Sequence, residues 1–447
     1  LRYRFRKNYF FQKNECKPVK QLQGKLMLSK NAALKKIFDA GISDLEKFEE
    51  LSQSRILQGI EDGTMVLLGN PNHPNVTPTL IGQPAKVKVN ANIGTSPFKN
   101  DVEKEMKKLE AAQGAGAHAV MDLSTAGDLD KIRTDMLTKC PLPLGTVPIY
   151  AMAQQYVARD EDPAGFTIEE LLKEIEKEAE QGVDFMTLHC GLTRRGAEWA
   201  TSGDRVLGIV SRGGSILARW MRDHDAENPL LTNYERILEI CLKHNVTISL
   251  GDGLRPGAGA DAGDAAQWEE VLMLGELAKR SREYGVQTMI EGPGHVPLNL
   301  VESQIRGIKK ATHNAPLYVL GPLVTDSAPG YDHIAGAIGG AVAVMNGVDF
   351  LCYLTPAEHL TLPEIDDVWN GVKASLVAAQ CGEVGMGRES AVNRDYEMSK
   401  ARMALDWDRI AELAIDPALA CTRRKDHKDE KECAMCGKFC AVRMLSE

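Results

Sequence analysis

Three cysteines near the carboxyl end, Cys433, Cys436 and Cys440, fall within eight residues, in a segment too short for a core of its own. Thiols this crowded usually hold a metal centre. A structural zinc site takes four protein ligands, whereas three thiolates on a four-iron cluster leave one iron open. Together with His427 the same thiols would also make a Cys3His zinc knot, so spacing alone leaves both metals in play. A redox Cys-x-x-Cys is disfavoured, because no thioredoxin-like strand precedes it.

A second set of reactive residues is scattered along the chain, and each follows a short apolar run. Ser211-Arg212-Gly213-Gly214 brings a hydroxyl, a cation and close-approach backbone N–H groups, which suit an anion such as phosphate. Asp252 and Arg255 add a carboxylate and a second guanidinium. The bland reading is a glycine-rich loop whose arginines only make salt bridges. His295 and His359 follow separate runs, near Glu291 and Glu358. Two imidazoles converging from different strands can hold a divalent metal with open positions. A lone histidine is more often structural or an acid–base group. Of the remaining histidines, His189 and His333 are the ones placed for chemistry.

The elements that must position these residues begin at Val87. Nine apolar runs (87–93, 119–123, 147–150, 185–190, 207–210, 246–250, 288–290, 317–320 and 350–354) alternate with amphipathic stretches such as 102–115, 168–181, 234–244, 265–284 and 301–311. Strand–helix alternation means buried parallel strands with crossover helices. The number of units favours an α/β eight-stranded TIM-type barrel over an open doubly wound sheet, and barrel sites lie at the carboxyl ends of the strands. Before it, residues 1–80 read as a basic arm and a small α/β domain, with two helices joined near Gly41, Ser43 capping the second, and a strand at 65–68. Residues 81–364 form the barrel domain. Residues 365–447 carry helices at 365–382 and 391–414, a charged tether at 423–432 and the cysteine tail. Residues 1–26 begin at Leu and are followed by no apolar h-region, so no signal peptide is expected; they are a non-native stretch, a misassigned start or a disordered arm.

With 447 residues, 43% hydrophobic and 26% charged, the chain has the composition of an ordinary soluble globular protein. A net charge of -9 argues against nucleic acid as partner, and no apolar run approaches a membrane span. Ten cysteines without a secretory context favour a reducing cytoplasm. Cys190 and Cys352, within apolar runs, read as small core residues.

The runs Lys88–Ser96, Val120–Thr125, Gly145–Tyr150, Gly208–Gly214, Ser249–Gly257, Ile290–Pro297 and Ala328–His333, with the terminal cysteine pattern, resemble the phosphomethylpyrimidine synthase superfamily from about residue 60 onward. The resemblance implies a radical S-adenosylmethionine lyase. Cys433, Cys436 and Cys440 would hold a 4Fe-4S cluster whose open iron binds S-adenosylmethionine, and the resulting 5′-deoxyadenosyl radical would act on 5-aminoimidazole ribotide. Carried over, Asn92, Met121, Tyr150, His189, Ser211, Arg212, Gly213, Asp252, Gly253, Leu254, Arg255, Glu291 and Tyr318 would contact substrate, and His295 and His359 would bind zinc. The resemblance also implies a homodimer in which one subunit's tail serves the other's barrel, and an electron donor such as flavodoxin or ferredoxin.

The superfamily has two outcomes: hydroxymethylpyrimidine phosphate for thiamine, or 5-hydroxybenzimidazole for the cobalamin lower ligand. The sequence departs from the thiamine pattern at Pro71, Ala126, Ala151, Ser327, Thr361 and 378–382. Because several departures sit beside expected pocket residues in sequence, the benzimidazole branch is the expectation and the thiamine branch the alternative. A zinc-capped, non-catalytic phosphosugar-binding barrel is the remote third reading.

Overall fold

The computed structural model describes residues 27–444. The arm expected over 1–26 lies outside them. The strands are β1 (Val66–Leu68), β2 (Thr79–Ile81), β3 (Lys88–Ile93), β4 (Ala119–Asp122), β5 (Leu144–Thr146), β6 (Phe185–Leu188), β7 (Thr247–Leu250), β8 (Thr288–Gly292), β9 (Leu317–Leu320) and β10 (Phe350–Cys352). β3 to β10 pair in parallel in chain order, and β10 closes on β3. Closure excludes the open sheet.

The helices at Val102–Ala115, Ile168–Gln181, Tyr234–His244 and Ala265–Tyr284 match the bounds read from the sequence. Three of them carry their start signal in the chain. Asp101 and Asp264 accept from N–H groups of the first turn, and Thr167 and Glu170 form a reciprocal capping box. Glycines 116, 182 and 285 end the same helices at positive φ.

Inside the barrel, Phe185 and Phe350 meet edge-on with ring centroids 6.4 Å apart, and Tyr318 lies 4.5 Å from Phe350. Gly145 on β5 makes room for them: a Cβ there would come within 2.3 Å of the Phe185 ring. These three rings, from β6, β9 and β10, pack against one another inside the barrel.

The opposite end is plugged by the segment before β3. The antiparallel β1–β2 pair meets residues that immediately precede barrel strands. Leu67 N–H donates to Gln287 (2.7 Å), and Asn70 and Gln83 N–H donate to Asp184 (2.7 Å) and Asp349 (2.6 Å). His73, buried, joins Asp184 at 2.7 Å and the Cys140 carbonyl at 2.9 Å. Lys88 of β3 pairs with Glu49 at 2.8 Å, both with side chains 1% exposed.

Four local expectations are corrected. The run 147–150 is not a strand: the strand is Leu144–Thr146, and Pro148 opens the helix Pro148–Val157, its missing N–H being harmless at that position. The run 207–210 is a loop. The Asp261 carboxylate takes the N–H groups of Val206 and Leu207, Arg205 donates to the Gly208 carbonyl, and Gly208 has φ 56°. Gly41 does not divide a helix, and Ser43 caps nothing. Ala32–Glu49 is continuous from Asn31, because Leu34, Phe38 and Leu45 keep one buried face. The charged tether is partly ordered: Pro417–Arg424 is helical, a 3-10 turn covers Lys425–His427, and Arg424 stacks 4.0 Å over the Trp407 ring.

Candidate active site at the barrel mouth

A cavity at the carboxyl ends of the strands is lined by eight of the expected substrate residues: Asn92, Met121, Tyr150, His189, Asp252, Arg255, Glu291 and Tyr318. Thr187, Cys352, Leu123, Val147, Gly292, Val319 and Leu320 complete the wall. Its floor is a polar network. Asn90 donates to the Tyr318 hydroxyl (2.7 Å) and to Asn92 Oδ1 (2.7 Å), Asn92 donates to Cys352 Sγ (3.1 Å), and the Tyr318 hydroxyl faces Met121 Sδ at 3.6 Å. Cys352 is therefore a pocket residue as well as a buried one. Its place at the carboxyl end of β10 was the signal in the sequence.

The acids of the pocket are poised by burial. Glu291 Oε1 accepts from Thr187 (2.6 Å) and Ser249 (2.7 Å). Burial still pushes its carboxyl up, against the pull of those hydroxyls and of Arg255. Asp252, 3.1 Å from Arg255 Nη1, is pushed up to about 7, because burial and the nearby Glu291 outweigh the guanidinium.

His189 is wedged among glycines. A Cβ on Gly213 would lie 2.3 Å from its ring, and one on Gly251 2.9 Å. Burial first, and Arg255 second, depress its pKa to about 3, so the ring is neutral. Ser211 caps the helix Arg212–Asp223: its Oγ accepts from Gly214 N–H (3.1 Å) and lies 3.0 Å from His189 Nε2. A neutral imidazole taking the Ser211 proton at Nε2 carries its own proton on Nδ1. That atom is buried and has no hydrogen-bond partner among the described residues. It is a donor suited to a ligand.

Ser211, Arg212, Gly213, Gly253 and Leu254 do not line this cavity. Arg212 lies 4.5 Å over the Tyr150 ring and lines an adjoining cavity that also holds Glu358, His359 and Thr361. The Leu254 side chain is fully buried, facing Gly196 of the helix Arg194–Thr201. Its N–H donates to Glu270 at 2.7 Å, so that amide is already engaged. Sequence reading missed Glu270, a carboxylate from the far helix with no motif of its own.

His295 and His359 come together, with ring centroids 5.3 Å apart. Each uses Nδ1 on a carboxylate, Asp326 at 2.7 Å and Asp332 at 3.1 Å, so each Nε2 remains to ligate. That donor chemistry fits a zinc ion with open positions. His333 lies in the helix Asp332–Met345, outside both cavities described above.

In the tail, Cys433 is half-buried, Cys436 exposed and Cys440 buried, around a 3-10 turn at Gly437–Phe439. Backbone N–H groups of Cys436 and Met435 hold the Cys433 thiol below its usual range, as a thiolate ligand requires. The Cys436 thiol is pushed up by desolvation and by its neighbour Cys433. Among the described residues, the one set of three donor atoms within 4.8 Å is Glu176, Glu180 and His244 on the outer helices. Neither the cysteines nor the histidine pair forms a closed three-donor cage.

A closed parallel barrel with buried acids, a neutral imidazole and a capped helix N-terminus at its carboxyl mouth has the architecture of a barrel enzyme. The chain belongs to the radical SAM ThiC family, whose model matches residues 29–447. Among curated proteins it is 49% identical over 408 residues to the phosphomethylpyrimidine synthase of Methanocaldococcus jannaschii, covering 90% of this chain and 93% of that one. It is 48% identical over 403 residues to the phosphomethylpyrimidine synthase of Thermoanaerobacter sp. (strain X514), with 90% and 93% covered. A solved dihydropteroate synthase from Coxiella burnetii overlaps 68% of this chain and 96% of its own at 12% identity and a TM-score of 0.38, a distant likeness.

These relatives overturn the benzimidazole expectation. The structure supplies the physical reason: none of the departures from the thiamine pattern lines the main cavity. Pro71 is at the plugged end, Ser327 is exposed, and Ala151 and Ala378 are buried within helices. Thr361 alone lines the adjoining cavity.

Proposed function

We propose that the chain is a phosphomethylpyrimidine synthase that converts 5-aminoimidazole ribotide to hydroxymethylpyrimidine phosphate for thiamine. The observation that carries the reading is identity of 47–49% to phosphomethylpyrimidine synthases across nine-tenths of the chain. The mouth geometry supports it. Cys433, Cys436 and Cys440 would hold a 4Fe-4S cluster, which when bound would supply the single electron needed to split S-adenosylmethionine into methionine and the 5′-deoxyadenosyl radical.

The chain's own residues bind and orient. The substrate phosphate lies against the first turn of Arg212–Asp223, where Arg212 and the dipole favour an anion, with Ser211 and Gly213 shaping the cap. His189 donates from Nδ1. Asn92, Met121, Tyr150 and Tyr318 hold the ring of the substrate, while Gly253 and Leu254 hold Arg255 in register. Asp252, which titrates near neutral pH, and Glu291 take and return protons. His295 and His359 bind zinc beside the same mouth.

In the same reading the part of the 1–80 unit from Met27 onward closes the bottom, the 81–364 unit carries the pocket, and Cys433, Cys436 and Cys440 of the 365–447 unit carry the cluster. The tail serves a second subunit of a homodimer; Trp407 donates to the Lys431 carbonyl (2.9 Å) and Arg424 to the Glu432 carbonyl (2.7 Å), which ties the segment before Cys433 to the C-terminal helices and supports its moving as one unit. A flavodoxin or ferredoxin in the cytoplasm supplies the electron; among the described residues no helix is long and apolar enough to cross a membrane.

The test is an anaerobic incubation of cluster-loaded protein with aminoimidazole ribotide, S-adenosylmethionine and a reductant. The expected products are the phosphorylated pyrimidine and 5′-deoxyadenosine. Formation of neither, by a protein with full iron and sulfide content, would refute the assignment.

A further inference from the structure

The two histidines at the mouth are held by an arrangement that repeats. His295 Nδ1 is 2.7 Å from Asp326 Oδ1, and Asp326 Oδ2 accepts from Gly259 N–H at 2.8 Å. His359 Nδ1 is 3.1 Å from Asp332 Oδ1, and Asp332 Oδ2 accepts from Gly330 N–H at 3.2 Å. In each pair one carboxylate oxygen takes the imidazole and the other takes a backbone amide, which for Asp326 comes from the loop after β7 and for Asp332 from two residues earlier in its own segment. Both rings are thereby turned to present Nε2, and they stand 5.3 Å apart. His359 also adopts φ 60°, a left-handed conformation uncommon for a residue with a side chain and often found at sites whose geometry is over-determined.

From this repetition we infer that Asp326 and Asp332 are positioning residues for a divalent cation held by His295 and His359. The inference rests on the zinc reading of that pair. The carboxylates touch no ligand; they fix which nitrogen carries the proton and raise the basicity of the other. Asp326 does more, because its bond to Gly259 ties the loop after β7 to the loop after β9. His295 N–H reaches the Pro256 carbonyl at 3.3 Å, and Leu323 N–H reaches the Gly294 carbonyl at 2.7 Å. Three strand-end loops thus meet at one imidazole. A carboxylate is needed at both positions: each oxygen accepts a proton, whereas an amide would turn its NH2 toward one of the two donors and leave it unpaired.

The experiment uses the full chain, stripped of metal by chelator, with zinc affinity measured by competition against a chromophoric chelator. Cobalt is bound in parallel to read ligand geometry from its visible absorption. Wild type, His295→Ala, Asp326→Asn and Asp332→Asn are compared, each with its thermal midpoint in the metal-free state. The expected result is zinc binding by wild type, loss in His295→Ala, and a fall of about 10- to 100-fold in each Asn variant, with an altered cobalt spectrum and metal-free midpoints near wild type. If His295→Ala loses zinc while both Asn variants bind it as wild type does, the positioning role is overturned and the zinc site stands. If wild type binds no zinc, or His295→Ala binds it unchanged, the site itself falls and the inference with it. An Asn variant that loses zinc only in proportion to a lowered metal-free midpoint marks a structural carboxylate and also overturns the inference.

Discussion

Gly213→Ala is a small change with a large expected effect. An added Cβ would lie 2.3 Å from Cε1, 2.5 Å from Nδ1 and 3.0 Å from Nε2 of His189. Carbon atoms pack at about 3.5–4.0 Å, so the ring would have to retreat by more than about 1 Å. It has nowhere to go. The backbone at Gly251 and Gly253 stands against its other edge, and Ser211 holds Nε2 at 3.0 Å. Overpacking of this kind costs about 1–3 kcal/mol. Replacing a helical glycine by alanine returns at most about 1 kcal/mol, and less in a first turn. The clash wins, and a net loss of about 1–2 kcal/mol remains. Displacement of His189 also withdraws its Nδ1 donor, and loss of one hydrogen bond of about 1.4 kcal/mol weakens substrate about tenfold. Calorimetric titration with aminoimidazole ribotide and a thermal melt measure both effects, with iron content as the control. Wild-type affinity together with a wild-type midpoint would refute the packing argument.

The other expectations are simpler. Gly41→Ala should raise stability by about 0.5–1 kcal/mol in a thermal melt, because no atom lies within 4 Å of the added Cβ and the site is helical. Lys88→Met should lower stability by about 3–5 kcal/mol in denaturant unfolding, since it strands the buried Glu49 carboxylate without its partner. Asp252 binds its proton more tightly folded than unfolded, so its contribution to stability is full below pH 4 and is lost as pH rises through about 7. Asp252→Asn should therefore gain stability relative to wild type between pH 5 and pH 8.5, by no more than about 3 kcal/mol; a gap that does not grow with pH counts against the raised carboxyl. Cys436→Ala should abolish iron and sulfide loading while leaving the circular dichroism and melt of the barrel intact, because Cys436 is exposed and lies outside the core. A collapsed melt would place the tail within the fold.

Local chemistry was written plainly in the chain. Helix starts at Asp101, Thr167 and Asp264, helix stops at Gly116, Gly182 and Gly285, and seven of the eight barrel strands all follow from caps, periodicity and alternation. These signals act over a few residues, so reading the chain recovers them. It failed at 147–150 and 207–210, where an apolar run of strand length turned into a proline-started helix and a carboxylate-held loop. Nothing in so short a run distinguishes these outcomes.

Tertiary structure decided what lies between distant residues. Asn90 and Tyr318, 228 positions apart, share a hydrogen bond on the pocket floor, and Thr187 and Glu291 are 104 apart. Asp326 has no motif of its own and Asp332 sits in the Ala328–His333 run with no role attached to it; the meaning of both appears only once the loops bring them to His295 and His359. Proximity in sequence also misled: Ala151 follows Tyr150, yet it is buried in a helix and absent from the cavity wall that Tyr150 lines. The sequence by itself determined the barrel units, the reactive residues and the family. Only barrel closure decided which residues share a pocket, because their neighbours are set by packing across the axis and not by position along the chain.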